Sequence, residues 1–215
     1  MSIWALVPVK ARVACKTRLA SRLTPAQRLA LVRAMLDHVL DVLRAVPALD
    51  RIALVSPERD GVANDVLLLP DPDRGLNACL DAALQEVAAR GASAAVIVSG
   101  DLPLLTPEEI VALIAATGSG QIAVAPDRTL QGSNAIGLAL PTRVRLQLGP
   151  DSYARHHAEA LRLGLRFNRV DAPGLAFDVD KPADVRALGK QPTWRQHASP
   201  PPRPMLEGLA KEGKA

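Results

Sequence analysis

The sequence predicts an α/β fold, a Rossmann-like three-layer α/β/α arrangement whose central sheet is mixed and mostly parallel. Short apolar runs alternate along the chain with longer segments in which apolar residues recur at helical spacing. The run at residues 94–98 is apolar at every position, which is typical of a central strand covered by helices on both faces. With 215 residues and 48% hydrophobic content, the chain suffices for one such domain, which we place at residues 1–189.

The N-terminal half contains four of the predicted strands, at residues 3–9, 51–56, 66–69 and 94–98. Thr24 begins a capping box with proline at the first helical position, and apolar residues then recur at helical spacing as far as Leu43. We therefore expect a long amphipathic helix between the first two strands. A second helix is predicted at residues 78–90, with Gly91 as its C-terminal stop.

The C-terminal half departs once from simple alternation of strands and helices. A helix is predicted from the capping box at Thr106 to just before Gly118. Further strands are predicted at residues 121–125, 166–170 and 177–180, and further helices at residues 153–163 and 182–188. Residues 133–140 follow a polar loop and predict an antiparallel strand or hairpin partner, which would make the sheet mixed.

The last segment, residues 190–215, has no periodicity and is rich in proline, so we predict a disordered tail. Trp194 within it is interpreted as an exposed ring rather than a docking anchor. Five cations and two carboxylates of this segment account for most of the net charge of +4. Because the body is then near neutral and only 2% of residues are aromatic, we expect no face that binds nucleic acid.

Cysteine usage and hydropathy indicate a cytoplasmic protein. The two cysteines, Cys15 and Cys79, form no CxxC pair and are interpreted as reduced thiols. The sequence has no apolar run of about 18 residues and no recognisable signal peptide, so we expect no membrane association. The motifs GxxxxGK[ST] and GxGxxG are both missing, which argues against a Walker-type ATPase and a dinucleotide oxidoreductase.

Three carboxylates are candidate metal ligands. Asp101 follows the run at residues 94–98, at the kind of strand end where open α/β sheets bind ligands. Asp178 and Asp180 would share one face of a predicted strand. Carboxylates that converge favour a hard cation such as Mg²⁺. The residues alone leave open that Asp101 caps a turn and that Asp178 and Asp180 are surface charges ahead of a helix.

A cationic loop after the first strand is the complementary half of this candidate site. Its cations are Lys10, Arg12, Lys16, Arg18 and Arg22. Lysine and arginine placed directly after a strand can pair with phosphate oxygens, although such a run is more often a solvated loop.

A second anion-binding element is predicted at the start of the helix at residues 153–163. Ser152 would lie at the helix N-terminus, where free N–H groups attract anions, although a simple N-cap is the alternative. His156 and His157 point about 100° apart on a helix and cannot share a metal, so we interpret both as helix-surface residues. No nucleophilic relay is assigned, since Cys15 has no assignable base.

Seven short motifs follow one another in a recognisable order. They are Trp4-Ala5-Leu6-Val7-Pro8-Val9-Lys10, Lys16-Thr17-Arg18-Leu19, Gly75-Leu76-Asn77, Ser99-Gly100-Asp101-Leu102-Pro103-Leu104, Gly132-Ser133-Asn134, Gly149-Pro150-Asp151-Ser152 and Asp178-Val179-Asp180. Together they resemble the 2-phospho-L-lactate guanylyltransferase family, of the nucleotide-diphospho-sugar transferase superfamily. The resemblance implies a nucleotidyltransferase-type fold and transfer of GMP from GTP to a small phosphorylated acid. That acid would be 2-phospho-L-lactate, phosphoenolpyruvate or 3-phospho-D-glycerate, in biosynthesis of the deazaflavin coenzyme F-420.

The resemblance also implies roles for individual residues. The Mg²⁺ ligands would be Asp101, Asp178 and Asp180. The catalytic residues would be Asp101, Lys10 and Lys16. Lys10, Lys16 and Arg18 would bind substrate phosphates, and Ser133, Gly149 and Ser152 would hold the phospho-acid. The residues that bind the nucleotide would be Lys10, Gly75, Asn77 and Asp101. Ser133 stands where family members often have threonine, so the identity of the acceptor is left open.

The residue types agree independently with such a reaction. A phosphomonoester, with its second pKa near about 6, is already an anionic nucleophile at neutral pH, so cations are required rather than a general base. Two alternatives stay open, a related nucleotidyltransferase for a sugar phosphate or a molybdopterin, and a non-catalytic nucleotide-binding regulator. The expected partners are GTP, the phospho-acid, a second copy in a homodimer and, by resemblance, the downstream transferase of the coenzyme pathway.

Overall fold

The computed structural model describes residues 1–9, 16–59, 61–70, 75–191 and 194, and this part of the chain forms a seven-stranded sheet. The strands are β1 (Ile3–Pro8), β2 (Arg51–Val55), β3 (Leu67–Leu69), β4 (Ala94–Val98), β5 (Gln121–Pro126), β6 (Ser133–Ala139) and β7 (Arg166–Arg169). Their order across the sheet is β3-β2-β1-β4-β6-β5-β7. β1 pairs in parallel with β2 and β4, whereas β6 is antiparallel to both of its neighbours. The prediction of a mixed, mostly parallel sheet is confirmed.

The helices of the described residues are α1 (Pro25–Arg44), α2 (Leu76–Ala89), α3 (Pro107–Ala115), α4 (Ser152–Leu163), α5 (Pro173–Ala176) and α6 (Pro182–Leu188), with a 3₁₀ turn at Thr17–Leu19. The predicted capping box begins α1. Thr24 Oγ1 accepts from the N–H of Gln27 at 3.3 Å, and Gln27 Oε1 accepts from the N–H of Thr24 at 2.9 Å. None of the helices in the described ranges is long and apolar enough to cross a membrane.

Both faces of the sheet are covered by helices. Val7 of β1 lies in a buried cluster with Leu40 of α1 and Ile110 of α3. Leu6 lies in a second cluster with Leu84 of α2. Because consecutive strand residues point to opposite faces, these clusters belong to opposite sides of the sheet, and the three-layer prediction is confirmed.

The carboxyl ends of β1 and β4 form the topological switch point of the sheet. From β1 the chain continues through α1 to β2 on one side, and from β4 it continues through α3 toward β5 on the other. Open α/β sheets bind ligands in the crevice left by such a divergence. Since Ala135 of the antiparallel β6 lies opposite Val98, the first residues of β6, Ser133 and Asn134, reach this same edge.

Residues 177–180 are not part of a strand, so the prediction that Asp178 and Asp180 share a strand face is wrong. Pro173 favours a helix start and begins the short α5, which the sequence analysis missed. Gly174 donates its N–H to Glu109 Oε1 at 2.7 Å and packs so closely on Leu104 that a Cβ would collide with that residue's carbonyl oxygen. These contacts fix α5 against the start of α3, and the following residues pass the strand ends instead of joining the sheet.

The interpretation of Trp194 as an exposed ring is also wrong. Its side chain is 2% exposed and belongs to a buried cluster with residues of the 16–23 segment, α1, residues 177–179 and α6. The His38 ring meets it edge-on, with centroids 6.2 Å apart. The physical reason is that α1 and α6 leave apolar side chains that one large ring can cover. The rest of the predicted tail after Gln191 lies outside the described residues.

Candidate active site

Asp101 lies just beyond the carboxyl end of β4, as predicted. The N–H of Ser99 donates to the carbonyl of Asn134 at 2.9 Å, which extends the pairing of β4 with β6 by one residue. The hydroxyl of Ser99 then donates to Asp101 Oδ1 at 2.7 Å. The carboxylate is therefore held at the switch point by the residues that end the strand.

Lys16 brings the cationic segment into contact with this carboxylate. Its Nζ donates to Asp101 Oδ2 and, at 2.6 Å, to Asp180 Oδ1, and its side chain is only 12% exposed. Burial would lower the pKa of Lys16, but the attraction of Asp101 and Asp180 outweighs it and holds the pKa above its usual value. Arg18 approaches the same cluster, with 3.8 Å between its Nη1 and Asp180 Oδ2.

Asp178 is the third carboxylate of this cluster. Burial and the negative charges of Asp101 and Asp180 raise the pKa of Asp178 above its usual value. The side-chain amide of Asn134 donates to Asp178 Oδ1 at 3.4 Å and partly opposes that shift. Three carboxylates and the buried ammonium of Lys16 therefore meet at this edge of the sheet.

The segment that carries Asp178 and Asp180 is held in place by Asp184. Asp184 Oδ2 accepts from the backbone N–H groups of Asp180 at 3.0 Å and Lys181 at 2.7 Å. Arg128 donates to Asp184 Oδ1 at 2.6 Å and to the carbonyl of Asp178 at 3.1 Å. Burial would raise the pKa of Asp184, but these hydrogen bonds outweigh it and hold the pKa below its usual value.

The carboxylate cluster fits a divalent cation in its chemistry but not in its spacing. Three carboxylates supply the hard oxygen donors that Mg²⁺ prefers. In the part of the chain that the structure describes, however, no three His, Cys, Asp or Glu side chains are grouped closely enough to hold a metal ion. The ammonium of Lys16 instead bonds two of the three. The role of Asp101, Asp178 and Asp180 as metal ligands therefore stays a prediction.

Ser133 and Ser152 form a second polar cluster beside the first. Ser152 is the first residue of α4, and its Oγ accepts the backbone N–H of Ser133 at 2.8 Å. Ser133 Oγ lies 2.9 Å from His156 Nδ1, and His156 Nε2 accepts the N–H of Gln147 at 3.0 Å. All three side chains are buried. The two serines predicted to bind the acceptor are thus brought together.

The interpretation of His156 as a helix-surface residue is wrong, because its side chain is 0% exposed. Burial lowers the pKa of His156 to about 4, so the ring is neutral at physiological pH. Its spacing of four residues from Ser152 places both on one helix face, and this spacing could have revealed it. His157 is exposed against the Phe167 ring, as predicted for a surface residue.

The predicted nucleotide-binding residues Asn77, Gly75 and Lys10 differ in what the structure shows of them. Asn77 uses both ends of its amide on Leu148, accepting from its N–H at 2.7 Å and donating to its carbonyl at 3.1 Å. The structure therefore gives Asn77 a role in holding the loop before α4, and its contact with the nucleotide stays a prediction. Gly75, with φ 87°, and Gly149, with φ 125°, take conformations that favour glycine. Lys10 lies outside the described residues.

A cavity of about 230 Å³ lies away from these clusters, between α2 and residues 140–145. Asp81, Thr142 and Arg145 contribute to its lining. None of the residues predicted to bind substrate or metal lines this cavity, so we assign it no part in substrate binding.

Comparison with known proteins shows that this chain is similar to guanylyltransferases. A family model described as "Guanylyl transferase CofC like" matches residues 3–189. The chain is 41% identical over 192 residues to the phosphoenolpyruvate guanylyltransferase of Sphaerobacter thermophilus, which covers 87% of this chain and 93% of that protein. It is 34% identical to the phosphoenolpyruvate guanylyltransferase of Conexibacter woesei, with 98% of both chains covered.

Solved structures share the fold at lower sequence identity. A nucleotide-diphospho-sugar transferase structure from Desulfovibrio desulfuricans G20 aligns with a TM-score of 0.74 at 18% identity, covering 99% of this chain and 95% of that one. The structure of 4-diphosphocytidyl-2C-methyl-D-erythritol synthase aligns with a TM-score of 0.60 at 15% identity, covering 85% and 94%. The prediction of a nucleotidyltransferase-type fold is confirmed.

Proposed function

The chain belongs to the CofC-like guanylyl transferase family, and we propose that it transfers GMP from GTP to the phosphate of phosphoenolpyruvate and releases pyrophosphate. The relatives from Sphaerobacter thermophilus and Conexibacter woesei are named for this acceptor, which favours it over 3-phospho-D-glycerate and 2-phospho-L-lactate. Each of these acids presents one phosphate and one carboxylate on a three-carbon skeleton. The product would enter the biosynthesis of the deazaflavin coenzyme F-420.

The observation that carries this proposal is the meeting of Lys16 with Asp101 and Asp180 at the switch point. GTP and the acceptor are both polyanions, so the main requirement of their reaction is neutralisation of charge. A buried lysine supplies positive charge where water screens it least. The carboxylates would in turn hold Mg²⁺, a role that requires them to be grouped more closely than they are here, and the ion would neutralise phosphate charge when it is bound.

The proposed chemical step needs no general base. An oxygen of the acceptor phosphate attacks the α-phosphorus of GTP in line, and a new P–O bond forms. The bond from the α-phosphorus to the bridging oxygen breaks, and the electron pair leaves with pyrophosphate. The attacking phosphomonoester is already ionised near neutral pH, so no proton has to be removed. Lys16 and Arg18 would contact the phosphate oxygens during this displacement.

Ser133, Ser152 and Gly149 would hold the acceptor on the other side of the site. The two hydroxyl groups are buried, and Ser133 and Ser152 are joined through the backbone N–H of Ser133. Oxygen atoms of a phosphate or carboxylate are the natural acceptors for hydroxyl hydrogens at a helix N-terminus. This cluster therefore complements the cations, which would bind the nucleotide phosphates.

A panel of acceptors tests the proposed function. The purified chain is incubated with GTP, Mg²⁺ and each of the three acids in turn, and pyrophosphate release is measured. We expect the highest kcat/KM with phosphoenolpyruvate. Release that requires a sugar phosphate instead of any of these acids, or binding of GTP without release under any condition, would overturn the proposal.

A carboxylate variant and a matched control test the metal assignment. Asp101→Asn should abolish turnover while the fold stays intact, because a neutral amide cannot replace a carboxylate ligand. Asp65→Asn removes the same charge near the amino end of β3, where Asp65 pairs with Arg44 at 2.7 Å. We expect that control to keep near wild-type activity. Near-normal GTP consumption by Asp101→Asn would refute the metal assignment.

A further inference from the structure

The buried imidazole of His156 joins two parts of the candidate acceptor site. One ring nitrogen, Nδ1, lies 2.9 Å from Ser133 Oγ at the start of β6. The other, Nε2, accepts the backbone N–H of Gln147 at 3.0 Å, two residues before Gly149. Both ring nitrogens are therefore in use inside the protein, and the ring itself is 0% exposed.

These two contacts determine the tautomer of the ring. A backbone N–H can only donate, so Nε2 must carry a lone pair toward Gln147. A neutral imidazole then carries its hydrogen on Nδ1, and this N–H donates to Ser133 Oγ. The serine oxygen is thus the acceptor in that contact, and its own hydrogen has to point away from the ring.

The hydroxyl oxygen of Ser152, like that of Ser133, accepts a hydrogen bond. Its Oγ accepts the backbone N–H of Ser133, so its hydroxyl hydrogen also points elsewhere. Neither hydroxyl donates a hydrogen bond to another residue that the structure describes. Two buried O–H groups, one at the start of β6 and one at the start of α4, are therefore free to donate to an anion.

We infer that His156 is a positioning residue for the acceptor, since it turns the hydroxyl hydrogen of Ser133 toward the acid and holds the loop that carries Gly149. This inference rests on the proposed function, because it takes Ser133, Ser152 and Gly149 as the acceptor site. It adds a residue that touches neither substrate. Asn77 supports the same loop from the other side, through its two hydrogen bonds to Leu148.

Two substitutions separate the two bonds of the ring. In His156→Asn the amide N–H₂ can take the place of Nδ1–H toward Ser133, while the acceptor for Gln147 is lost. In His156→Gln the longer side chain can keep an oxygen near the position of Nε2, while the donor to Ser133 is lost. His157→Gln is the matched control, since it changes the adjacent, exposed histidine.

The expected result is a selective loss of acceptor binding. For His156→Gln we expect the KM of phosphoenolpyruvate to rise by about tenfold, the size of one lost hydrogen bond in a buried site, while the KM of GTP stays within about twofold. His156→Asn should retain more acceptor affinity than His156→Gln, and His157→Gln should behave as wild type. ¹⁵N NMR of the wild-type imidazole should report hydrogen on Nδ1.

The experiments distinguish failure of this inference about His156 from failure of the proposed function. If the wild type releases no pyrophosphate with any of the three acids, the proposed function fails, and the inference fails with it. If the wild type is active but His156→Gln raises both KM values equally or changes kcat alone, only the inference is overturned. Hydrogen on Nε2 in the NMR experiment would overturn it independently of any kinetic result.

Discussion

Lys16 and Arg18 lie two residues apart but differ greatly in burial. The Lys16 side chain is 12% exposed and bonds two carboxylates, whereas Arg18 is 71% exposed and approaches only Asp180. A cation in a site of low dielectric acts more strongly on phosphate charge than one screened by water. We therefore expect Lys16→Ala to lower kcat by about 10²-fold and Arg18→Ala by less than about tenfold.

Arg18→Ala is the matched control in this comparison, because it removes one positive charge from the same segment. Steady-state pyrophosphate release measures both variants, and circular dichroism checks that each is folded. Equal losses would contradict the prediction, since burial would then have no bearing on what the cation contributes.

The buried ring of His156 makes the stability of the protein depend on pH. Its pKa is lowered to about 4, chiefly by burial, with Glu159 raising it and Arg155 lowering it further. Between about pH 6.5 and pH 4 the unfolded chain binds a proton that the folded chain does not, so stability falls as the pH falls through this window. By pH 4 the loss amounts to about 3 kcal/mol in the free energy of unfolding.

Urea unfolding at pH 7 and near pH 4 measures this loss. The difference in unfolding free energy between the two pH values should be smaller in His156→Gln than in the wild type, because glutamine does not titrate. The carboxylates titrate in both proteins, so their contribution largely cancels in the comparison. An identical pH dependence of the two proteins would show that the ring is not held neutral.

Single residues were predictable from the sequence where their position follows from a neighbouring element. Asp101 follows a strand and Ser152 precedes a helix, so their places at the sheet edge could be inferred. His156 could not be assigned in this way, because its partners lie nine residues away at Gln147 and 23 residues away at Ser133. The spacing of four residues places His156 on the helix face that carries Ser152, but the packing alone shows that this face is buried.

At the scale of elements, residues 178–181 are held by one side chain of α6. Asp184 accepts from two backbone N–H groups and from Arg128, and its side chain is only 14% exposed. We expect Asp184→Ala to lower the free energy of unfolding by about 1–2 kcal/mol, because the partly buried N–H of Asp180 and the N–H of Lys181 lose their acceptor. The Mg²⁺ concentration needed for half-maximal activity should also rise, since Asp178 and Asp180 lose their support.

Asp171→Ala is the control for this substitution. Asp171 pairs with Arg169 at 2.6 Å but is 66% exposed, so its removal should cost less than about 1 kcal/mol and leave the Mg²⁺ dependence unchanged. Denaturant unfolding and a Mg²⁺ titration of pyrophosphate release give the two readouts. An unchanged Mg²⁺ requirement in Asp184→Ala would show that this segment does not present metal ligands.

Regular elements were predictable because each carries a local signal. Capping boxes mark the starts of α1 and α3, and apolar runs mark the strands. Residues 177–180 carry the same alternation as a strand, but α5 is fixed against α3 by Gly174 and Glu109, and this long-range contact leaves no strand partner. Local pattern alone could not exclude that strand, because pairing depends on residues about 65 positions away.

At the scale of the whole molecule, the switch point explains why distant parts of the sequence meet. The loop after β1 carries Lys16, the loop after β4 carries Asp101, and the antiparallel β6 brings Ser133 to the same edge. The strand order that produces this meeting depends on long-range pairing. The sequence indicated which residues lie at strand ends, whereas their convergence required the order of the strands.

Trp194 joins the two segments that supply the charged site. Its buried cluster contains Leu19 and Leu23 beyond Lys16, Phe177 and Val179 beside Asp178 and Asp180, and apolar residues of α1 and α6. One large ring therefore packs behind both the cation and two of the carboxylates. Its indole N–H has no hydrogen-bond partner among the described residues, so its contribution there is packing.

Replacing Trp194 should therefore affect stability and activity together. Trp194→Ala removes a buried ring and should lower the free energy of unfolding by about 3–5 kcal/mol. Trp194→Phe keeps much of the apolar volume and loses no hydrogen bond to a described residue, so it should cost clearly less.

Thermal or urea unfolding measures the stability, and pyrophosphate release well below the melting temperature of each variant measures the site. If Lys16 and Asp180 depend on this packing, the KM for GTP rises in Trp194→Ala while the protein is still folded. A variant that is destabilised with unchanged KM values would show that the cluster supports the fold without positioning the charged site.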